Sequence, residues 1–261
     1  MRFQLFIFLI NYVLALKYPL YDNDFILGGT SIFPYYSQPW IGTISRPTST
    51  YHFCGASLIS PTVALTAAHC VDTYSDYNLY FHRYNETLES NYEGAIKRSV
   101  EKVLLHPHAK LAFFNLSHSV IDYDFALLFW STPVKLNYPV LFFSNFSLDN
   151  YRATTYGWGA TMEGGRQSDI LRGVSGLKIW SNSDCDDFLG SVTPRMICAG
   201  GEHNYDACQG DSGGPLVLDV TNILIGVVSW GYGCGREGYP GVYSRVSEAE
   251  DFIRENVDLV Y

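Results

Sequence analysis

From about Gln38 onward the chain is built of short apolar runs, each stopped by Gly, Pro, Asn or Ser. SLISPTVALTAA, VEKVLLH, FALLFW, YRATTYGWG, PLVLDV and ILIGVVSWG are examples. Runs this short, rich in β-branched and aromatic residues, suit strands and are too brief for helices. They restrict the chain to an all-β sandwich or barrel. Gly 23, Tyr 20 and Phe 16 agree with many strands and tight turns. With 261 residues, the chain can form one large domain or two small ones sharing a core. At 47% hydrophobic and 16% charged, it is not a disordered chain. Only SEAEDFIRENV, opening on Ser247 as an N-cap, reads as helical, over about 247–257. There is no repeat of 20–50 residues, and the best linker is the plain stretch Thr132–Tyr138.

The first residues, MRFQLFIFLINYVLAL, place one Arg before about a dozen apolar residues, then Val13 and Ala15 at signal-peptidase spacing. A membrane span needs ~20 apolar residues, and this run ends at Lys17, Tyr18 and Pro19. Residues 1–15 are expected to be a signal peptide cut after Ala15, with an uncleaved anchor as the alternative. Six Cys on the secretory route suggest three disulfides, with fifteen pairings open. Asn85, Asn115 and Asn145 each begin a glycosylation triplet. The net charge is −9. Loss of residues 1–25 removes Arg2, Lys17, Asp22 and Asp24, which cancel, so −9 remains. That disfavours nucleic acid and anionic membranes and mildly favours basic substrates.

Two segments carry chemistry. LTAAHC sets His69 beside Cys70 after an apolar strand, and CQGDSGGPL sets Ser212 between an acid and glycines. Glycines on both sides of a hydroxyl let backbone N–H groups turn toward one point. A nucleophile needs that, because its carbonyl target becomes an oxyanion. Two acids, Asp122 and Asp124, sit in IDYDFALLFW and at period 2 face one side.

In this order, AAHC, DFALL, GDSGGP and SWG, the chain resembles secreted serine peptidases of the chymotrypsin/trypsin family, from Ile26 to the C-terminal helix. The resemblance implies two six-stranded antiparallel Greek-key barrels, about 26–135 and 136–250, packed together with a short C-terminal helix. It implies His69 as general base, Ser212 as nucleophile and Asp124 as the acid that orients His69. Asp124 directly precedes the apolar run as the family pattern requires, which leaves Asp122 as a solvated strand-end acid. The N–H groups of Gly210 and Ser212 correspond to the oxyanion hole. Ser229, Trp230 and Gly231 correspond to the segment that pairs with substrate backbone. Asp206 occupies the position at the base of the primary pocket, beside Ala207 and between the wall positions Gly231 and Gly241. A carboxylate there selects cationic side chains. Ala207 in place of a hydroxyl residue favours the forked guanidinium of Arg over the ammonium of Lys. The resemblance also implies the pairings Cys54–Cys70, Cys185–Cys198 and Cys208–Cys234. It implies protein or peptide substrates, susceptibility to protease inhibitors, a monomer, and no cofactor.

The sequence departs from the family in three places. HPHAKLAFFNLSHSVIDYD is longer by about seven residues and is expected either to narrow the cleft or to form a surface bulge. In NETLESNYEG the acids Glu86, Glu89 and Glu93 do not match the spacing of the calcium loop found in many trypsins, so no metal is assigned. At DNDFILGGT, residues 16–25 would be a propeptide. Cleavage after Phe25 would free Ile26 to pair with Asp211, and His52 matches a family residue that can hold Asp211 beforehand. Relatives usually carry Arg or Lys at the position of Phe25, so an activating protease that accepts Phe is expected. Two alternatives stand beside this reading: a silent peptidase-like binding protein, and a peptidase with non-tryptic specificity.

Overall fold

The computed structural model describes residues 29–32, 34–49, 51–88, 90–115 and 118–259. The expected signal peptide, the propeptide, Phe25 and Ile26 lie outside the described residues. The chain opens with β1 (Thr30–Ser31), β2 (Ile41–Ser45), β3 (His52–Ser60), β4 (Val63–Thr66), β5 (Asn78–Phe81), β6 (Ile96–Ser99) and β7 (Lys102–Leu105). Then come β8 (Lys110–Asn115), β9 (His118–Asp122), β10 (Ala126–Phe129) and β11 (Val140–Leu141). The remainder is β12 (Arg152–Gly157), β13 (Arg172–Trp180), β14 (Met196–Ala199), β15 (Pro215–Leu218), β16 (Ile223–Trp230) and β17 (Gly241–Arg245).

The first sheet runs β6-β5-β2-β3-β4-β10-β7, so β5 returns to lie beside β2, the Greek-key order. Its outer strands β6 and β7 are separated only by Val100 and Glu101, whose N–H groups donate to Tyr77 and Phe129 carbonyls. One bent run therefore serves both edges, and the sheet curls on itself. In the second sheet β13-β12-β15-β16-β17-β14 closes by pairing of β14 with β13, which makes a six-stranded barrel. There β14 lies beside β17, again the Greek-key order.

The halves exchange their ends. β1 pairs with β13, in the second barrel, although it belongs to the first half of the chain. At the other end, Phe252 and Ile253 are buried in the core that contains Leu58, Leu65, Phe81 and Leu127 of the first sheet. Burial of each such side chain contributes about 1.5–3 kcal/mol. That same core also contains Val217 and Leu224 of the second barrel.

The C-terminal helix is shorter than expected. A 3-10 turn covers Val246–Ala249 and the α-helix only Glu250–Arg254, with no side-chain cap from Ser247. Besides the single turn Ser90–Glu93, a helix at Asn182–Leu189 lies outside the sequence expectation. Ser181 caps it by accepting from Asp184 N at 3.0 Å, and Gly190 ends it in the left-handed region. Only Cys185 and Leu189 are buried on it, too few for a helical stripe to be read. The long stretch before Asp124 is a β8–β9 hairpin.

Candidate active site

His69 and Asp124 meet because of strand register. β4 and β10 are antiparallel, with Ala126 opposite Thr66. The chain leaves β4 toward His69 at the same end at which it enters β10 from Asp124. A 3-10 turn, Ala68–Cys70, presents the imidazole, and the Cys54–Cys70 disulfide ties that turn back to β3. Asp124 is fully buried and accepts three hydrogen bonds. His69 N donates to Oδ1 at 2.9 Å, His69 Nδ1 to Oδ2 at 2.7 Å, and Ser229 Oγ to Oδ2 at 2.6 Å. A carboxylate is an acceptor, so Nδ1 carries a proton, and in the neutral ring Nε2 keeps its lone pair. Burial works against the charged ring, but the bond and charge of Asp124 outweigh it and raise the His69 pKa. Ser229 reaches Asp124 from the opposite barrel, at a register shift between Val228 and Trp230.

Ser212 sits in the turn before β15. Its carbonyl accepts from Gly55 N at 2.7 Å, which joins it to the first sheet. Gly213 has φ +77°, and a Cβ there would lie 2.2 Å from Thr66 Oγ1 and 2.6 Å from Gly55 O. Only glycine fits that approach. Among the described residues the Ser212 hydroxyl and the N–H groups of Gly210 and Ser212 have no intrachain partner. The His69–Ser212 hydrogen bond is not formed. His69 Nε2 instead lies 3.8 Å from Cys70 Sγ. Such bonds are often open in unliganded sites.

Beside Ser212 opens a cavity of about 150 Å³ lined by Asp206, Ala207, Ser229, Trp230, Gly231 and Gly241, among others. The Cys208–Cys234 disulfide frames it. Asp206, 3% exposed, closes the floor. Its Oδ2 accepts from Gly235 N at 3.0 Å, while Oδ1 is buried without a partner. Burial pushes its pKa up to about 7. A Cβ on Gly241 would come within 2.6 Å of Oδ1, so any larger residue would cover the acid.

A sequence model of the family described as Trypsin matches residues 26–253. The chain is 36% identical over 251 residues to trypsin-1 of Astacus astacus, covering 88% of this chain and 99% of that protein. It is 35% identical over 249 residues to serine protease 1 of Rattus norvegicus, covering 93% and 94%. With trypsin-2 of Salmo salar the identity is 37% over 237 residues, covering 89% and 95%. The chain belongs to the trypsin family. It is a serine endopeptidase of that family, and its three disulfides pair as Cys54–Cys70, Cys185–Cys198 and Cys208–Cys234.

Other residues of this trypsin-family chain fall differently from expectation. Asp122 is not solvated. Its side chain is 17% exposed and pairs with Arg195 of the second barrel at 2.5 Å. No sequence signal links two residues 73 positions apart. His52 makes no hydrogen bond to Asp211 here; its Nδ1 lies 2.6 Å from Glu86 Oε2, both side chains being buried. Asp211, 1% exposed, accepts from Gly159 N at 2.7 Å and Cys208 N at 2.9 Å. Burial raises its pKa to about 6. Glu93 accepts from Tyr84 N and Asn85 N, so Glu86 and Glu93 both serve internal partners. Asn145 is exposed, whereas Asn85 is half-buried with Oδ1 accepting from Thr87. The side chain of Asn115 lies outside the described residues. No helix among the described residues is long and apolar enough to cross a membrane.

Proposed function

We propose that this chain is a secreted endopeptidase that cleaves after Arg, and less readily after Lys, through Ser212, His69 and Asp124. The observation that carries the specificity is the partnerless Asp206 Oδ1 on the floor of the cavity beside Ser212. A buried carboxylate oxygen without a donor is costly, so the site favours a ligand that brings donors and positive charge. A guanidinium offers both in a fork, and Ala207 withholds the hydroxyl that would help a compact ammonium.

The chemistry follows from the hydrogen-bond chain. Ser212 Oγ attacks the scissile carbonyl as its proton passes to His69 Nε2. The Asp124 carboxylate stabilises the imidazolium through Nδ1–H. The resulting oxyanion takes the two free N–H groups of Gly210 and Ser212, where one donor is worth about 3–4 kcal/mol in the transition state. His69 then gives its proton to the leaving amine. Water repeats the sequence in reverse and releases Ser212. Trp230 and Gly231 hold the substrate backbone as an added strand.

The enzyme is made as a precursor, with cleavage after Phe25 freeing an Ile26 ammonium for Asp211. Breaking a buried pair of that kind costs ~3–5 kcal/mol, enough to order the loop that contains Gly210. An Asp206 pocket rejects Phe, so another protease must start it. The test uses chain processed to begin at Ile26, a fluorophosphonate, and matched Arg, Lys and Phe peptides. Labelling of Ser212 with Arg cleaved fastest is expected. No labelling identifies a silent protein, and preferred cleavage after Phe identifies a misread pocket. Precursor that converts itself, faster at higher concentration, would overturn the dependence on a second protease.

A further inference from the structure

Asp124 is presented to His69 by a peptide in an unusual shape. Tyr123, the residue before it, has φ +52°, in the left-handed region that side-chain-bearing residues avoid. The Phe125 N–H donates to the Tyr123 carbonyl at 2.7 Å, which closes a tight kink between hairpin and strand. Such a conformation persists only where its surroundings hold it.

Three groups hold it. His106 stacks on the Tyr123 ring with centroids 4.7 Å apart and planes 9° apart. His106 Nδ1 accepts from His108 N at 3.2 Å, and burial pushes its pKa down to about 4, so this ring is neutral. Arg195, at the head of β14 in the second barrel, places its guanidinium 5.3 Å from the Tyr123 ring centroid. The same guanidinium grips Asp122, with Nη2 at 2.5 Å and Nε at 3.2 Å from Oδ2. Thr193 Oγ1 also donates to Asp122 Oδ1 at 2.8 Å. The Arg195 carbonyl is fixed in turn by Arg245 N at 2.8 Å.

We infer that Arg195 is a positioning residue for Asp124: by clamping Asp122 and Tyr123 it fixes the kink that aims Asp124 at His69. The inference rests on the proposed Ser212–His69–Asp124 mechanism. Asp124 is thereby held from the second barrel twice, directly by Ser229 and through the backbone by Arg195. The ion pair is only partly exposed, with side chains at 27% and 17%, which limits solvent screening. The clamp also ties down the end of the β8–β9 hairpin, since Asp122 is its last residue.

The test compares processed wild-type chain with Arg195→Ala, Asp122→Asn, the double variant and Arg195→Lys. The measurements are kcat and KM on an Arg peptide, the acid limb of the kcat profile, the rate of Ser212 labelling and the thermal midpoint. Small misplacements of a catalytic group cost up to ~100-fold. Arg195→Ala and Asp122→Asn should each lower kcat about 10–100-fold with KM within about twofold. The double variant should be no worse than either single, because both cut one link. Arg195→Lys should recover part of kcat. The acid limb should move to lower pH, because a loosened Asp124 no longer raises the His69 pKa. Unchanged kcat and acid limb with only a lower thermal midpoint would make the pair a structural tie and overturn the inference. Independent, multiplying losses in the double variant would overturn it too. If Arg195→Ala does not fold, Arg195→Lys and Thr193→Val make the same comparison. Wild-type chain that takes no label at Ser212 removes the mechanism and the inference together. Equal labelling of wild type and Arg195→Ala removes the inference alone.

Discussion

The two halves of the site are built by different means. On the first sheet, His69 and Asp124 rest on side-chain hydrogen bonds over paired strands and a disulfide. Among the described residues, that half of the chain has a single glycine with positive φ, Gly94. The second half has ten, among them Gly210, Gly213, Gly233 and Gly235 around Ser212 and the pocket. It also buries Asp206 and Asp211, whose hydrogen bonds come from backbone N–H groups. The second half holds both acids in burial that disfavours their charged forms and raises their pKa values.

The sharpest way to separate the halves is Ser212→Ala. It should lower kcat about a million-fold while leaving the thermal midpoint unchanged, as measured by peptide hydrolysis and calorimetry. Next in size is Asp206→Asn. Cleavage of Arg peptides should fall ~10⁴-fold in kcat/KM, because the pocket loses its charge. Fluorophosphonate labelling should persist, since His69 and Asp124 are untouched. If labelling collapses with it, Ser212 and the Asp206 pocket are one unit within the second half.

A pH titration sharpens the same contrast. Pushed up to about 7 by burial, the Asp206 carboxyl gains a proton as pH falls below that value. A small amidinium ligand binds the ionised acid, so its affinity should weaken by up to about tenfold per pH unit below that point. A neutral ligand of the same shape should show no such slope in calorimetric titrations. Asp206→Asn should abolish the slope. The smallest effect is expected from Ser229→Ala, which removes one of three donors to Asp124. A loss of about 1 kcal/mol, roughly fivefold in kcat, should be seen in steady-state assays. A loss as large as that of Asp206→Asn would mean that the acid is not secured from the first sheet.

What the sequence discloses follows from how local each feature is. Strand runs such as FALLFW and the glycines around Ser212 are dictated within a few residues, so they can be read directly. The motifs LTAAHC and CQGDSGGPL are legible for the same reason, and the resemblance to the family rests on them. Asp122 is a different case. Period 2 puts it on the face of Asp124, but a left-handed Tyr123 breaks the alternation and Arg195 captures it from the other barrel. His52 likewise finds Glu86, 34 residues away, in preference to the expected acid. Pairings of that range depend on the packing of whole sheets, which no local pattern encodes. The Asn182–Leu189 helix was hidden because its cap and its left-handed end, rather than an apolar stripe, define it.

The exchange of ends between the halves has a mechanical consequence. β1 is annealed to the far barrel, and the C-terminal helix is inserted into the core beside the first sheet. Each half is thus fastened by a strap that belongs to its neighbour. A cut in the crossover at the exposed Lys135 or Asn137 would leave two fragments that stay interlocked. Pulling them apart would require both straps to peel away. Neither fragment is a self-sufficient body, so the molecule can be nicked there without coming undone.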